Sequence, residues 1–229
     1  MVPRVGVLGG TFDPIHQGHL DLARAAHAAL ALESVWLVPS HVPPHRPEPR
    51  ASVFHRFAMV SLAAAEESWL VACDMELHEA GPSYTSRTLE RLTAAGYDAR
   101  QIFFLTGADA FAEIATWRDY PALLERAHFV VVSRPGMAAG TLRSRLPELS
   151  SRMIDLPRAG APPPADLSIL LLDAGTADVS STDVRRRLEA GEPLGGLVPA
   201  AVERHARRHD LYLAAAARMA AATDLHEDD

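Results

Sequence analysis

Residues 9–20, GGTFDPIHQGHL, follow directly on the short apolar run VGVL at 5–8. An apolar run without polar alternation reads as a buried strand. Two glycines then turn the chain, and His16, Gly18 and His19 stand where an amphipathic helical pattern begins. A buried strand that passes through a glycine turn into a helix is the opening of a β-α-β unit. Gly9 and Gly10 let the backbone approach a ligand closely, because no Cβ intervenes. Gly18 does the same at the helix start, where free N–H groups favour an anion. His16 and His19 are three residues apart, so both project to one side of the first turn. Imidazoles beside a helix start suit a phosphate or a developing oxyanion. The spacing is not G-x-G-x-x-G, so the dinucleotide fingerprint fails, and His-x-x-His without a third suitably spaced ligand is poor evidence for zinc.

The same alternation runs through the chain. RVGVLGG, SVWLVPS, SWLVACD, QIFFLTG, HFVVVSRPG and LSILLLDAG read as buried strands. Amphipathic stretches lie between them at roughly 18–30, 51–67, 84–95, 108–126 and 181–190. This order predicts an α/β fold: a doubly wound parallel sheet, Rossmann-like, with helices on both faces. The segment RPGMAAGTLRSRLPELSSR resembles a surface excursion and PRAGAPPPAD a Pro-rich loop; neither marks a boundary, so residues 1–229 are expected to form a single domain. DLYLAAAARMAAATDLHEDD reads as a final Ala-rich helix that frays into an acidic tail over 213–229.

Composition narrows the function. With 229 residues, 48% of them apolar, the chain has material for a sizeable core. Its net charge of -7 argues against a general nucleic-acid binder. One cysteine, Cys73, excludes an internal disulfide and fits a reducing cytoplasm. No apolar run reaches the roughly 18 residues a membrane span requires, and the N-terminus lacks the apolar segment of a signal peptide. All 22 basic side chains are arginines. Without lysine there is no Walker A loop and no Schiff-base chemistry. Phosphate chemistry here falls to arginine, histidine, backbone N–H groups or a metal.

The ends of several expected strands carry polar, turn-forming residues: GGTFDPIHQGH, PSHVPPHR, TGAD and, after the last strand, DVSSTDVRRRL. A doubly wound sheet binds its ligand at those carboxyl ends. In SSTDVR, Ser180 or Ser181 is a good N-cap, Asp183 favours the first turn, and Arg185 lies one turn in, able to reach back toward the same anion. Arg186 and Arg187 read as a solvated face. His41 and His45 are four apart, but Pro43 and Pro44 forbid a helical pair. Cys73 reads as a buried small hydrophobe.

The pairing of GTFDPIHQGH with SSTDVR resembles the nucleotidyltransferases that carry His-x-Gly-His and Ser-Ser-Thr-x-x-Arg signatures. The intervening PPHR (43–46), SYTSRTL (83–89), FLTGADAFAEIATW (104–117) and VVSRPG (131–136) are similar to those of bacterial nicotinate-nucleotide adenylyltransferases. The resemblance implies adenylyl transfer from ATP to nicotinate mononucleotide with Mg²⁺ assisting. It also implies that His16, His19 and Arg185 are catalytic. Gly9, Gly10, Thr11, Phe12, Gly18, Gly107, Asp109, Ser181 and Thr182 would complete the ATP site. Ser40, His45, Arg46, Tyr84, Thr85, Trp117 and Arg134 would hold the mononucleotide. No protein metal ligand is expected, nor a nucleic-acid or membrane partner; a possible homo-oligomer is not read from any motif. Trp117 reads equally well as a core residue or as an aromatic face for the pyridine ring.

The nucleophile would be a phosphate oxygen, already ionised near pH 7 because its second pKa is about 6. No general base is then required, which agrees with the lack of a Ser–His–Asp set in the sequence. Two positions depart from the family: Arg46 stands in place of lysine, and Arg87 in place of the aspartate of SYTxDT. Phosphopantetheine adenylyltransferase, a nicotinamide mononucleotide enzyme and a non-catalytic nucleotide sensor are the competing readings.

Overall fold

A computed structural model describes residues 3–44, 47–78, 81–156 and 164–213. His45, Arg46, most of the Pro-rich loop and the Ala-rich tail from 214 onward lie outside the described residues.

The sheet begins with β1 (Val5–Gly10), β2 (Ser34–Pro39), β3 (Leu70–Ala72) and β4 (Ile102–Gly107), and is completed by β5 (His128–Val132), β6 (Met153–Asp155) and β7 (Ile169–Leu172). Their spatial order is β3-β2-β1-β4-β5-β7-β6, every pair parallel. Strands buried on both faces must be apolar throughout, and all six residues of β4 are buried. Successive side chains alternate faces. Phe103 and Leu105 join one layer with Val35 and Leu37, packed on α1 (Gln17–Leu30), α2 (Val53–Ala64), α6 (Ser181–Glu189) and α7 (Ala200–Arg208). Ile102 and Phe104 join the other layer with Val7 and Phe129, packed on α3 (Thr85–Ala94), α4 (Ala108–Phe111) and α5 (Leu142–Arg145). The doubly wound expectation therefore holds, with two cores.

The chain winds outward from β1 through β2 to β3, then returns by α3 to place β4 on the other side of β1. That reversal is the switch point, where neighbouring crossovers diverge and leave a crevice. Gly10 and Gly107 end the two strands that border it.

Four expectations about elements change. The stretch 108–126 is not one helix. It breaks into α4 and one-turn 3₁₀ segments at Ile114–Thr116 and Ala122–Glu125. Pro121 has no N–H to give and disfavours helix at the residue before it, while Asp119 takes a left-handed φ of 66°. The excursion 134–152 is more than surface: Ala139, Leu142, Leu146 and Leu149 are buried against the second layer. It leads into β6, a three-residue edge strand too short to show a sequence pattern. Helix α7 was not among the expected helices.

Candidate active site

The segment between β1 and α1 is built around buried side chains. Phe12 adopts a φ of 48° and tucks its ring under the chain, so a Cβ on Gly10 would lie 3.0 Å from it. His16 occupies the N-cap position of α1 and is buried. Its backbone N–H donates to Nδ1 of His19 at 3.3 Å. Accepting at Nδ1 leaves the ring proton of a neutral His19 on Nε2. The two rings stack with centroids 3.7 Å apart, and Phe12 meets His19 edge-on at 5.0 Å. Burial, reinforced by the Arg134 charge, pushes the His16 pKa down to about 3, so its ring is neutral at physiological pH. Its Nδ1 is buried without a hydrogen-bond partner. One expected anion donor is already engaged: the Gln17 N–H at the start of α1 donates to the Leu197 carbonyl at 2.8 Å.

The far signature packs against this segment. Ser180 is the N-cap of α6 and accepts from the Asp183 N–H at 3.1 Å. Ser181 Oγ donates to the Pro14 carbonyl at 2.9 Å. Arg185 donates through Nη1 to the Asp13 carbonyl at 2.7 Å and through Nη2 to Thr182 Oγ1 at 3.1 Å. The two signatures thus share direct hydrogen bonds between residues 167 and 172 positions apart in the chain. Asp183 pairs with Arg186 and Arg187, which accordingly form the solvated face expected of them.

Beside this junction opens a cleft of about 340 Å³ whose walls include Asp109, Arg134, Val179, Ser180 and Asp183. Arg134 follows β5 and donates to the Gly18 carbonyl at 3.3 Å. A Cβ on Gly107 would meet Asp109 Oδ1 at 2.5 Å and Arg134 Cγ at 3.0 Å. Arg134 therefore contacts the Gly18–Gly107–Asp109 group.

A second group lies at the ends of β2 and the start of α3. The Ser40 N–H donates to the Gly10 carbonyl at 2.9 Å, and Ser40 Oγ is buried without a partner. The His41 N–H donates to Ser83 Oγ at 2.8 Å. Ser83 is thus not a helix cap; Tyr84 holds the N-cap position of α3, and no side chain caps that end. Ser86 Oγ, in the first turn, is buried without a partner. The Arg118 guanidinium lies 4.7 Å over the Tyr84 ring, which brings the Trp117 segment to Tyr84 and Thr85. Trp117 is half-buried and meets Phe104 edge-on at 5.9 Å, so it is partly core and partly surface.

Arg56, Asp13 and Tyr212 are absent from the expected site yet organise it. Arg56 is 1% exposed and donates to the carbonyls of Thr11 at 2.7 Å and His41 at 3.1 Å, tying the ends of β1 and β2 together. Asp13, within the quoted motif, is the one of the three that a local signal could have found.

Among the described residues no helix is long and apolar enough to cross a membrane. A family model described as cytidylyltransferase-like matches residues 7–187. A protein from Chromobacterium violaceum is 40% identical over 93% of this chain and 100% of its own length. One from Desulfatibacillum aliphaticivorans is 36% identical over 92% and 100%. Both carry the name "Probable nicotinate-nucleotide adenylyltransferase". The fold is similar to that of Plasmodium falciparum nicotinic acid mononucleotide adenylyltransferase complexed with NaAD. Its TM-score is 0.66 at 16% identity, over 92% of this chain and 97% of that one. The sheet order, the joined signatures and these relatives lead to one assignment: the chain belongs to the cytidylyltransferase-like family and, within it, to the nicotinate-nucleotide adenylyltransferases.

Proposed function

We propose that the protein transfers the adenylyl group of ATP to nicotinate mononucleotide, releasing pyrophosphate and forming nicotinate adenine dinucleotide. The observation that carries this reading is the direct bonding of the two signatures, Arg185 to the Asp13 carbonyl at 2.7 Å and Ser181 to the Pro14 carbonyl at 2.9 Å. A triphosphate in the crevice then meets His16 and His19 at one end and Ser181, Thr182 and Arg185 at the other.

The mononucleotide phosphate oxygen attacks the α-phosphorus, and the bond from that phosphorus to the pyrophosphate oxygen breaks. With an ionised nucleophile, catalysis reduces to in-line positioning and stabilisation of charge. His19 offers Nε2–H to the α-phosphate, oriented by the bond at its Nδ1. His16 acts neutral, since its pKa lies far below 7. Arg185 takes charge developing on the leaving pyrophosphate. Gly9, Gly10, Thr11, Phe12 and Gly18 line the nucleotide path, with Gly107 and Asp109 near the adenosine. Arg134, expected in the mononucleotide set, borders the ATP side instead, since its neighbours are Gly18 and Gly107.

The acid is preferred over the amide because the α3 start is uncapped by any side chain. Its first-turn N–H groups favour a carboxylate. Tyr84, Thr85 and Trp117 are assigned to that end; Ser40 donates to Gly10, and the next residue, His41, donates to Ser83 beside it. Mg²⁺ would supply charge neutralisation on the phosphates. Among the described residues no group of three or more His, Cys, Asp or Glu could cage a metal. An Mg²⁺ ion entering with ATP would be held by phosphates and water, near the cleft that Asp109, Asp178 and Asp183 line.

Pyrophosphate release from ATP, measured with nicotinate mononucleotide, nicotinamide mononucleotide and phosphopantetheine in turn, tests the reading. Release with the first in clear excess of the others is expected. Release with phosphopantetheine instead, or with none while ATP still binds, overturns it.

A further inference from the structure

Next to the residues assigned to substrate lies a carboxylate that none of the assignments uses, with Arg185 Nη1 3.8 Å from its Oδ2. Asp13 is 4% exposed and sits between β1 and the two histidines. Its Oδ2 accepts the Arg50 N–H at 2.8 Å. Its Oδ1 accepts the Ala51 N–H at 3.1 Å and the Tyr212 hydroxyl at 2.9 Å. Its own carbonyl accepts Arg185 Nη1 at 2.7 Å. A buried carboxylate is tolerated only when its oxygens are satisfied, and here three donors converge from two remote parts of the chain.

Tyr212 is fully buried, and its ring already fills the space it occupies. A phenylalanine would fill that space equally; the hydroxyl adds one thing, the bond to Asp13. Arg50 closes the arrangement by donating through Nη2 to the Tyr212 carbonyl at 2.8 Å. A residue 199 positions away thereby fixes the peptide whose carbonyl orients Arg185.

We propose that Tyr212 and Asp13 are positioning residues for the adenylyl-transfer site. Tyr212 fixes the Asp13 carboxylate. Asp13 in turn sets the direction of the Arg185 guanidinium and the entry of the chain into the helix that carries His16 and His19. The inference rests on the reading that these groups receive the triphosphate, and it concerns only the ATP side of the reaction.

The test is the dissociation constant of ATP, measured by titration calorimetry on the full chain without acceptor. The variants are Tyr212→Phe, Asp13→Asn and the pair combined. Val202→Ala, which removes buried apolar surface from the same core layer as Tyr212 and leaves the Tyr212–Asp13 hydrogen bond in place, is the control. Tyr212→Phe should weaken ATP about tenfold, the scale of one hydrogen bond to a charged group. The KM for nicotinate mononucleotide should stay within about twofold, because the start of α3 is untouched. If Tyr212 acts through Asp13, the combined variant is no weaker than Asp13→Asn alone. Val202→Ala should lower the melting temperature and leave ATP affinity intact.

Wild-type ATP affinity in Tyr212→Phe overturns the proposal, as does additivity of the two substitutions. So does an ATP effect in Val202→Ala equal to that in Tyr212→Phe. These outcomes leave the substrate reading standing. Wild-type protein that binds ATP but adenylylates a different acceptor sinks the substrate reading and leaves the positioning role intact; wild-type protein that does not bind ATP sinks both.

Discussion

Arg87 stands where the resemblance to SYTxDT leads one to expect an aspartate. It lines a water-sized recess of about 10 Å³ with Glu76, Ser83, Tyr84, Thr88 and Arg91, at the α3 start. Burial pushes the Glu76 carboxyl up from its ordinary range, while its hydrogen bonds from Thr88 and Ser83 and the Arg91 charge oppose that shift. A cation at 87 adds positive potential where the nicotinate carboxylate is proposed to bind. Arg87→Asp should therefore raise the KM for nicotinate mononucleotide about tenfold, which corresponds to about 1.4 kcal/mol. Because Arg87 is exposed, stability should move by no more than about 0.5 kcal/mol. A KM within threefold of wild type removes Arg87 from the pocket. At this scale the legible residues were those in dense motifs: His16, His19, Ser181 and Arg185. Arg56 and Tyr212 gave no signal, since a lone arginine on an amphipathic helix and a tyrosine near the chain end acquire meaning only through carbonyls and carboxylates distant in sequence.

Among the elements, α1 depends most tightly on one position. A Cβ on Gly18 would lie 3.1 Å from Arg134 Nη1, 3.2 Å from the Ala177 carbonyl oxygen and 3.3 Å from His16 Cε1. One wall is backbone and another is the buried histidine, so neither yields cheaply. Gly18→Ala should cost about 1–3 kcal/mol of stability, as overpacking does. It should also lower kcat at least about tenfold by displacing His16, the cost expected of a misplaced catalytic group. Thermal unfolding and initial rates on one preparation check both, and an unchanged kcat contradicts the placement of His16. Long apolar strands were legible because burial on both faces leaves no alternation to misread. Short elements were not: β6 has three residues, and the 108–126 pattern kept its apolar period while Pro121 cut the backbone bonding beneath it. Helix α7 hid because its stretch carries four charged residues and only a narrow apolar stripe, Val202 and Ala206.

The molecule as a whole carries several histidines that folding keeps neutral. Burial pushes the His128 pKa down to about 4 and that of His16 to about 3, and burial also lowers His55 and His205. The unfolded chain then binds more protons than the folded one below pH 6.5, so stability rises with pH in that window. It should be fully present above 6.5 and fall as pH drops toward 4, by up to about 1.4 kcal/mol per pH unit for each of the buried pair His16 and His128. Glu76, raised by burial, works in the opposite direction. Urea midpoints at pH 7.5 and 5 check this, and His128→Phe should flatten the slope whatever it does to absolute stability. A wild-type midpoint that does not fall between those pH values contradicts the assignment. At this scale the sequence was most legible in the meeting of two distant signatures at one crevice, because a doubly wound sheet gathers the ends of its strands on one side. The decisive measurement is a crystal structure with a non-hydrolysable ATP analogue and nicotinate mononucleotide. The triphosphate should span from His16 and His19 to Ser181 and Arg185, with the nicotinate carboxylate at the start of α3. A triphosphate seated away from either signature would contradict the account.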